Sequence, residues 1–356
     1  MATIQQSARA YERWLKDQLG GELVAADLHR KHDKMHASAF VFFRATYWRW
    51  AETILDICPE LAVAPSVLAV GDIHLENYGT WRDAEGRLAW GVNDFDEAAE
   101  MPYALDLVRL AASALLAGAS QGVAAETACS AILQGYREGL RAPKPISLDR
   151  DYTWLMKLVE VSEHERAKFW KKITDARSKA APKRYRDAIA KAMPVPGLTV
   201  RTAQRSAGAG SLGRPRWIGV ADWRGSPVVR EAKALATSAW ARVHAPKAHK
   251  IRAGEIANGR FHSLDPWYAI EKGLVVRRLS PNNRKIEAES GGPQLFSGDM
   301  LQLMGFELAN LHSGVADRGG AITRDLGRRK RGWLAEAAKR AAKACTRDFN
   351  DWRAGG

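Results

Sequence analysis

GDIHLENYGTWRDAEGRLAWGVNDFDEA, residues 71–98, carries seven acidic side chains, one His and two Asn in a segment that reads as two short strands and a turn. Carboxylates held this close repel one another unless something positive lies among them, and a hard divalent cation with oxygen ligands answers that need. Asp72 and Asn77 are five positions apart with His74 between them, and the run EGRLAWGVND returns the chain to Asp94 and Asp96. A hairpin brings these groups together. Phosphoryl transfer uses such an array, because Mg neutralises the spread charge of the group in transit while a carboxylate orients the attacking hydroxyl. On this reading Asp72 is the base or orienting group, and Asn77 and Asp94 are metal ligands. Asp96 is a second metal ligand, a base or a structural hydrogen-bonding group, and His74 orients backbone or touches substrate or metal. A surface turn with Asx caps explains one Asp-x-His triplet but not the whole combination.

The 356 residues around this segment are 46% hydrophobic, enough for a large core divided among two or three lobes. Cys58, Cys129 and Cys345 are far apart and form no C-x-x-C pair, so they read as buried thiols in a reducing compartment. No signal peptide or membrane-length apolar run is present, and the expectation is a cytoplasmic protein without a membrane partner. The net charge of +14 thickens in KKITDARSKAAPKRYR and GRRKRGWLAEAAKRAAK. These read as solvated helix faces with a mild attraction for polyanions, and with no reader motif beside them specific nucleic-acid binding is not expected.

Helical spacing marks residues 5–20 and 37–57, and SVLAV reads as a buried strand ending at Gly71. PYALDLVRLAASALLAGASQ and ETACSAILQGYREGL are helices; RAPKPISLDRD breaks the chain, and a polar helical region then runs to about 193. From 200 the chain turns β-rich, with a helix expected near 247–262 and a strand pair in DPWYAI and GLVVRRLS, before helices resume. The expected division is a helical lobe over 1–195, a β-rich nucleotide-binding lobe over 196–290, and helices over 291–356 that pack back on the first.

Within the β-rich part, AGAGSLG places Gly208, Gly210 and Gly213, with Ser211 among them, in a G-x-G-x-x-G pattern. A helix should follow in a dinucleotide fold; a strand follows here, which suits a glycine hairpin covering phosphates with backbone N–H groups. A flexible linker is the plainer alternative. Arg230 and Lys233 lie downstream, and in a regular strand they face opposite sides, so only one can reach the phosphates.

GDIHLENYG resembles the G-D-x-H-x-x-N catalytic loop of aminoglycoside phosphotransferases and related small-molecule kinases. VNDFDEAAEMPYALDLVRL is similar to their V-x-D-F/W-E-D-A-G-x-x-x-P-x-Y-D-L-A pattern, with the proline one place earlier. Taken together, KMHASAFVFFR, GDIHLENYG, NDFDEA and ALDLVRLAAS resemble an uncharacterised bacterial family, domain of unknown function 2252. The resemblance implies an α+β, protein-kinase-like bilobal fold that uses ATP or another nucleoside triphosphate with Mg. Asp94 takes the metal position and Asp106 is the buried helix Asp bracing the catalytic loop.

Ordinary kinases place the glycine loop and lysine before the catalytic Asp, whereas here residues 71–96 precede Gly208, so the fold is expected to be circularly permuted. The family has Lys before Glu-Ala where this chain has Arg230, Glu231 and Ala232. Position therefore points to Arg230 and residue type to Lys233; the positional reading puts Arg230 first, since Arg can bind phosphate bidentately. Glu255 is the candidate carboxylate to pair with this cation, with a solvent-facing role as its favoured reading, and Arg44 is expected to brace its helix against the acidic loop, with phosphate binding as the alternative. The function implied is phosphorylation of a hydroxyl on a small molecule, with the nucleotide and that acceptor as partners. The Arg at the lysine position keeps a pseudokinase or nucleotide-binding scaffold, and AMP transfer to a protein, as alternatives.

Overall fold

The structure, a computed structural model, describes residues 2–119, 122–206, 210–287 and 292–355. It is a mixed helix-and-sheet, α+β protein.

Helix α1 (Ile4–Gln18) starts from a capping box in which Thr3 and Gln6 bond each other's backbone N–H groups. It is followed by α2 (Ala25–Met35), α3 (Ala39–Ala45) and α4 (Tyr47–Ile57). The single helix expected over 37–57 is interrupted at Thr46, which leaves helical geometry at φ −122° and ψ 38°. Its hydroxyl turns back to the Phe42 carbonyl at 2.7 Å, a local bond that competes with helix continuation. The aromatic face still buries on both sides of the break, through Phe42, Phe43, Trp48 and Trp50.

Strand β1 (Ser66–Ala69) carries the chain into the acidic stretch, β2 (Tyr78–Arg82) and β3 (Leu88–Val92) form the hairpin within it, and β4 (Ala99–Pro102) returns antiparallel to β1. At the hairpin tip Asp83 accepts from the Glu85 and Arg87 backbone N–H groups, so Asp83 is used by the turn. Helix α5 (Tyr103–Ala117) is apolar on almost every side and becomes the centre of the helical core. Helix α6 (Ala125–Arg141) lies beside it, followed by α7 (Leu148–Asp151), α8 (Thr153–Leu158), α9 (Glu163–Thr174) and α10 (Lys183–Lys191).

Strands β5 (Arg201–Gln204), β6 (Arg216–Trp223), β7 (Ser226–Ala234), β8 (Ala269–Glu271) and β9 (Leu274–Leu279) form one antiparallel sheet in the order β5-β6-β7-β9-β8. The helix expected over 247–262 is reduced to α12 (Ala253–Ala257), with α11 (Ala239–His244) before it. The charged, exposed run 245–250 between them offers no apolar face to bury. Helices α13 (Gly298–Gly314), α14 (Gly319–Arg328) and α15 (Trp333–Ala354) complete the chain; α13 packs on α6 and α15 on α5. No helix among the described residues is long and apolar enough to cross a membrane.

The pleat of the sheet decides which side chains meet the acidic stretch. Val229, Glu231 and Lys233 share one face of β7, and α9 covers the outer end of that face through Ile173 against Ala203, Ile218 and Val229. The opposite face, with Arg230, Ala232 and Trp217, packs toward α10. After β9 the chain crosses to β2, where the Thr80 N–H donates to the Arg284 carbonyl at 2.9 Å and its hydroxyl to the Asn282 carbonyl at 2.7 Å. On the other side the Val24 N–H donates to the Gly213 carbonyl at 3.0 Å. These ties hold the sheet over the acidic hairpin.

Candidate functional site

The site begins at Gly71, whose φ of +80° lets the chain turn sharply after β1. A side chain there would overlap the Glu97 carbonyl, so the turn requires glycine twice over. Asp106, fully buried in the first turn of α5, accepts from the Val70 N–H at 2.8 Å and the Gly71 N–H at 3.0 Å. His312 Nε2 donates to the same carboxylate at 3.0 Å, and its Nδ1 accepts from the Tyr136 hydroxyl at 2.8 Å. A relay of three buried polar groups thus fixes the backbone that presents Asp72.

His74 caps the short helical turn 75–77 by accepting the Glu76 N–H at its Nδ1, which places the ring proton on Nε2. Burial, with Arg44 and Lys285 nearby, pushes its pKa well below the usual value, so the ring is neutral and orients backbone. Asn77 is clamped through Nδ2, which donates to the Asp72 carbonyl at 3.1 Å and the Asp94 carbonyl at 3.0 Å. Its Oδ1 is buried with no partner. A buried acceptor held in place and left unsatisfied is what a ligand position for a hard cation requires.

Asp72 accepts from Arg109 Nη2 at 2.5 Å. Burial pushes the Asp72 carboxyl up from its ordinary range, against the pull of Arg109. Arg44 pairs with Glu76 and so ties α3 to the acidic loop, while its side chain also lines the cavity beside Asp94. Asp94 and Asp96 share Lys233, whose Nζ is 3.4 Å from Asp94 Oδ1 and 2.6 Å from Asp96 Oδ2. Burial works to raise Asp94, but Lys233, Lys285 and Arg277 outweigh it and hold the carboxyl well below the usual range. Asp96 goes the other way, raised by burial and by the charge of Asp94. Arg214 donates to Asp96 Oδ2 at 3.2 Å and to Glu97 at 2.6 Å, so the Asp96 oxygen that meets Lys233 is held by a guanidinium as well.

Of the two candidate cations, Lys233 reaches the acids and Arg230 does not. Arg230 points through the other face of β7, donates to the Ala192 carbonyl at 2.7 Å and lies over the Trp267 ring at 4.1 Å. The positional match is therefore corrected by strand alternation. The candidate pairing of Glu255 with this cation is not present: Glu255 pairs with Lys250 and Arg252, and the carboxylates facing Lys233 are Asp94 and Asp96.

The glycine-bearing segment joins β5 to β6, with a strand on each side. Gly208 lies outside the described residues. A β carbon at Gly210 would stand 3.0 Å from the Arg44 carbonyl oxygen and 3.5 Å from Asp72 Oδ2, so this turn lies against the acidic loop. Ser211 accepts from Arg216 Nη2 at 2.7 Å, while Gly213 packs on Leu28 of α2, away from the acids. Asp72, Asn77, Asp94, Asp96, Gly210 and Ser211 line one cavity of about 90 Å³, which shares Arg44, Asp94, Ser211 and Lys285 with a wider one of about 580 Å³ beneath the sheet.

Arg109, Lys285 and the arginines beneath the sheet were not among the residues singled out by motif. Arg109 carried a signal, since it stands one turn after Asp106 on the same helix face. Lys285 carried none. No group of three or more His, Cys, Asp or Glu side chains poised for a metal occurs among the described residues. Asp94 and Asn77 offer one carboxylate and one carboxamide oxygen, the number of protein ligands that a Mg site completed by phosphates and water would need.

A family model described as an uncharacterised protein conserved in bacteria, DUF2252, matches residues 23–204. The chain belongs to this family. No curated protein and no solved structure matches it. The matched residues include the whole acidic hairpin, Asp106 and Arg109, and end at β5.

Proposed function

We propose that the protein is a kinase-like phosphotransferase that moves the γ-phosphoryl group of a nucleoside triphosphate, ATP or a relative, to a hydroxyl of a small molecule. The observation that carries this reading is the meeting of two segments more than a hundred positions apart: Gly210 against Asp72, with Lys233 on Asp94 and Asp96. Kinases bring together a glycine-rich turn, a strand lysine, a catalytic carboxylate and an Asn–Asp metal pair. Here the lysine also lies on the third strand of the sheet, two strands after the glycine turn begins. The sheet over 201–279, poised above the helical part with its motifs in reversed chain order, supports a bilobal, circularly permuted architecture.

In the reaction, the acceptor oxygen attacks the γ-phosphorus. The new O–P bond forms as the bond to the bridging oxygen of the nucleoside diphosphate breaks, and the diphosphate leaves with the electron pair. Asp72, its pKa raised by burial, aligns the hydroxyl and takes its proton, while Arg109 keeps the carboxylate from protonating too early. Lys233 and the Gly210–Ser211 turn hold the phosphate chain. Asn77 Oδ1 and the Asp94 carboxylate would hold Mg, which supplies charge neutralisation on the phosphates when bound.

Incubation of the protein with Mg, a bacterial metabolite fraction, and either α-labelled or γ-labelled ATP tests this. Movement of the γ-label alone to a small molecule, lost in Asp72→Asn, is the expected result. Movement of the α-label onto protein would replace it with AMP transfer, and nucleotide binding without movement of either label would make the protein a scaffold.

A further inference from the structure

Beneath the sheet, beyond the acids that face Lys233, one carboxylate is shared by three guanidinium groups. Glu231 is 1% exposed and accepts from Arg216 Nη1 at 2.9 Å, Arg277 Nε at 2.9 Å and Arg205 Nη1 at 2.5 Å. The register produces this cluster: Arg277 is the cross-strand partner of Glu231, Arg216 is the partner of Lys233, and the Arg205 N–H bonds the Arg216 carbonyl. All of them occupy the face that carries Lys233. Three guanidinium groups against one carboxylate leave two positive charges over. Satisfying Glu231 needs no third arginine, and bringing one out of water without an acid to answer it costs free energy.

The surplus faces space. Arg205, Arg216 and Arg277 line the cavity of about 580 Å³. Lys285 enters from the opposite wall on the segment tied to Thr80, and it lines both cavities. Burial pushes its pKa down to about 8, with Arg277, Arg44 and Lys233 adding to that effect and Asp94 opposing it. Cations gathered on low-dielectric walls around an open volume attract an anion strongly, and guanidinium forks suit the oxygens of phosphate.

We propose that the space between Arg216, Arg277 and Lys285 is an oxyanion site that takes the phosphates behind the transferred group of a nucleotide. The identity of the nucleotide rests on the function proposed above, whereas the anion site does not. Glu231 then acts as a standing counter-ion: it competes with the ligand by neutralising one of the three guanidinium groups until the ligand arrives.

Inorganic tripolyphosphate titrated into the full chain without Mg, followed by calorimetry and thermal unfolding, tests the site. Wild type should bind at one site, and Lys285→Met should weaken binding by roughly tenfold, the loss of one charge-assisted contact. Glu231→Gln should bind more tightly than wild type, and its lowered unfolding temperature should rise further on adding the anion, because the surplus charge has grown. A purely structural arginine cluster predicts the reverse. Absence of tripolyphosphate binding in wild type, unchanged affinity in Lys285→Met, or weaker binding in Glu231→Gln would each overturn the proposal. Anion binding that follows the predicted order without any transfer from ATP would keep this site and remove the phosphotransferase reading.

Discussion

Arg109 Nη2 stands 2.5 Å from Asp72 Oδ1, and the Arg109 side chain has no exposure to solvent at all. Its guanidinium lies over the rings of Phe43, Tyr47 and Trp50 at 4.0, 4.8 and 5.1 Å, while Nε and Nη1 have no hydrogen-bond partner. The positive charge is therefore answered by ring faces, by one carboxylate and by the Phe43 carbonyl, which accepts from Nη2 at 3.0 Å. Asp72 is held between two opposing influences, burial raising its pKa and Arg109 lowering it.

Arg109→Met removes the lowering influence and leaves the raising one. The Asp72 pKa should climb, so the acid limb of the pH profile for nucleotide turnover should move to higher pH. Loss of a buried pair should also cost about 3 kcal/mol in urea unfolding. An unmoved acid limb would mean that Asp72 is not the proton acceptor.

Lys233→Met and Arg230→Met should separate binding from stability. Lys233 faces Asp94 and Asp96, so its loss should reduce nucleotide affinity by roughly tenfold or more. Arg230 bonds the Ala192 carbonyl and covers Trp267, so its loss should cost about 1–2 kcal/mol of stability with affinity retained. The opposite pairing of effects would restore Arg230 as the phosphate-binding cation.

Asp106→Asn should destabilise by roughly 2–3 kcal/mol, read from denaturant unfolding, because one amide cannot accept from Val70, Gly71 and His312 as the carboxylate does. Nucleotide turnover should fall with it, since the backbone before Asp72 loses its anchor. A variant as stable and as active as wild type would remove Asp106 from this role.

The acidic hairpin was legible because its chemistry sits at short sequence range: a strand, a glycine, and oxygen ligands at fixed spacing on either side of a tight turn. The helical core around α5 followed from an apolar run with one Asp. The choice between Arg230 and Lys233 was not legible from motif position, because a shift of three residues along a strand exchanges faces and the sequence pattern does not state the register. Lys285 and the Glu231 arginines were hidden for a related reason. They converge only when β5, β6, β7 and β9 pair, and nothing local to any one of them announces the cavity.

Lys31 is buried in α2 with its ammonium 3.4 Å from the Gly210 carbonyl, and burial pushes its pKa down to about 8 from 10.5. The unfolded chain therefore holds this proton between pH 8 and 10.5 when the folded chain does not. The cost is full below the folded value and fades as pH rises through that window, so this group makes stability increase with pH there. Lys31→Met should raise stability at pH 7 by about 2 kcal/mol and flatten that slope. A destabilised variant would show that the bond to Gly210 outweighs the cost of burying the charge.

Calorimetric titration of a non-hydrolysable ATP analogue, with and without Mg, into wild type and Asp94→Ala tests the central claim most directly. The account predicts binding to wild type that Mg strengthens, with the Mg effect lost in Asp94→Ala. Wild type that binds no nucleotide, or binds it equally with and without Mg, would contradict the account.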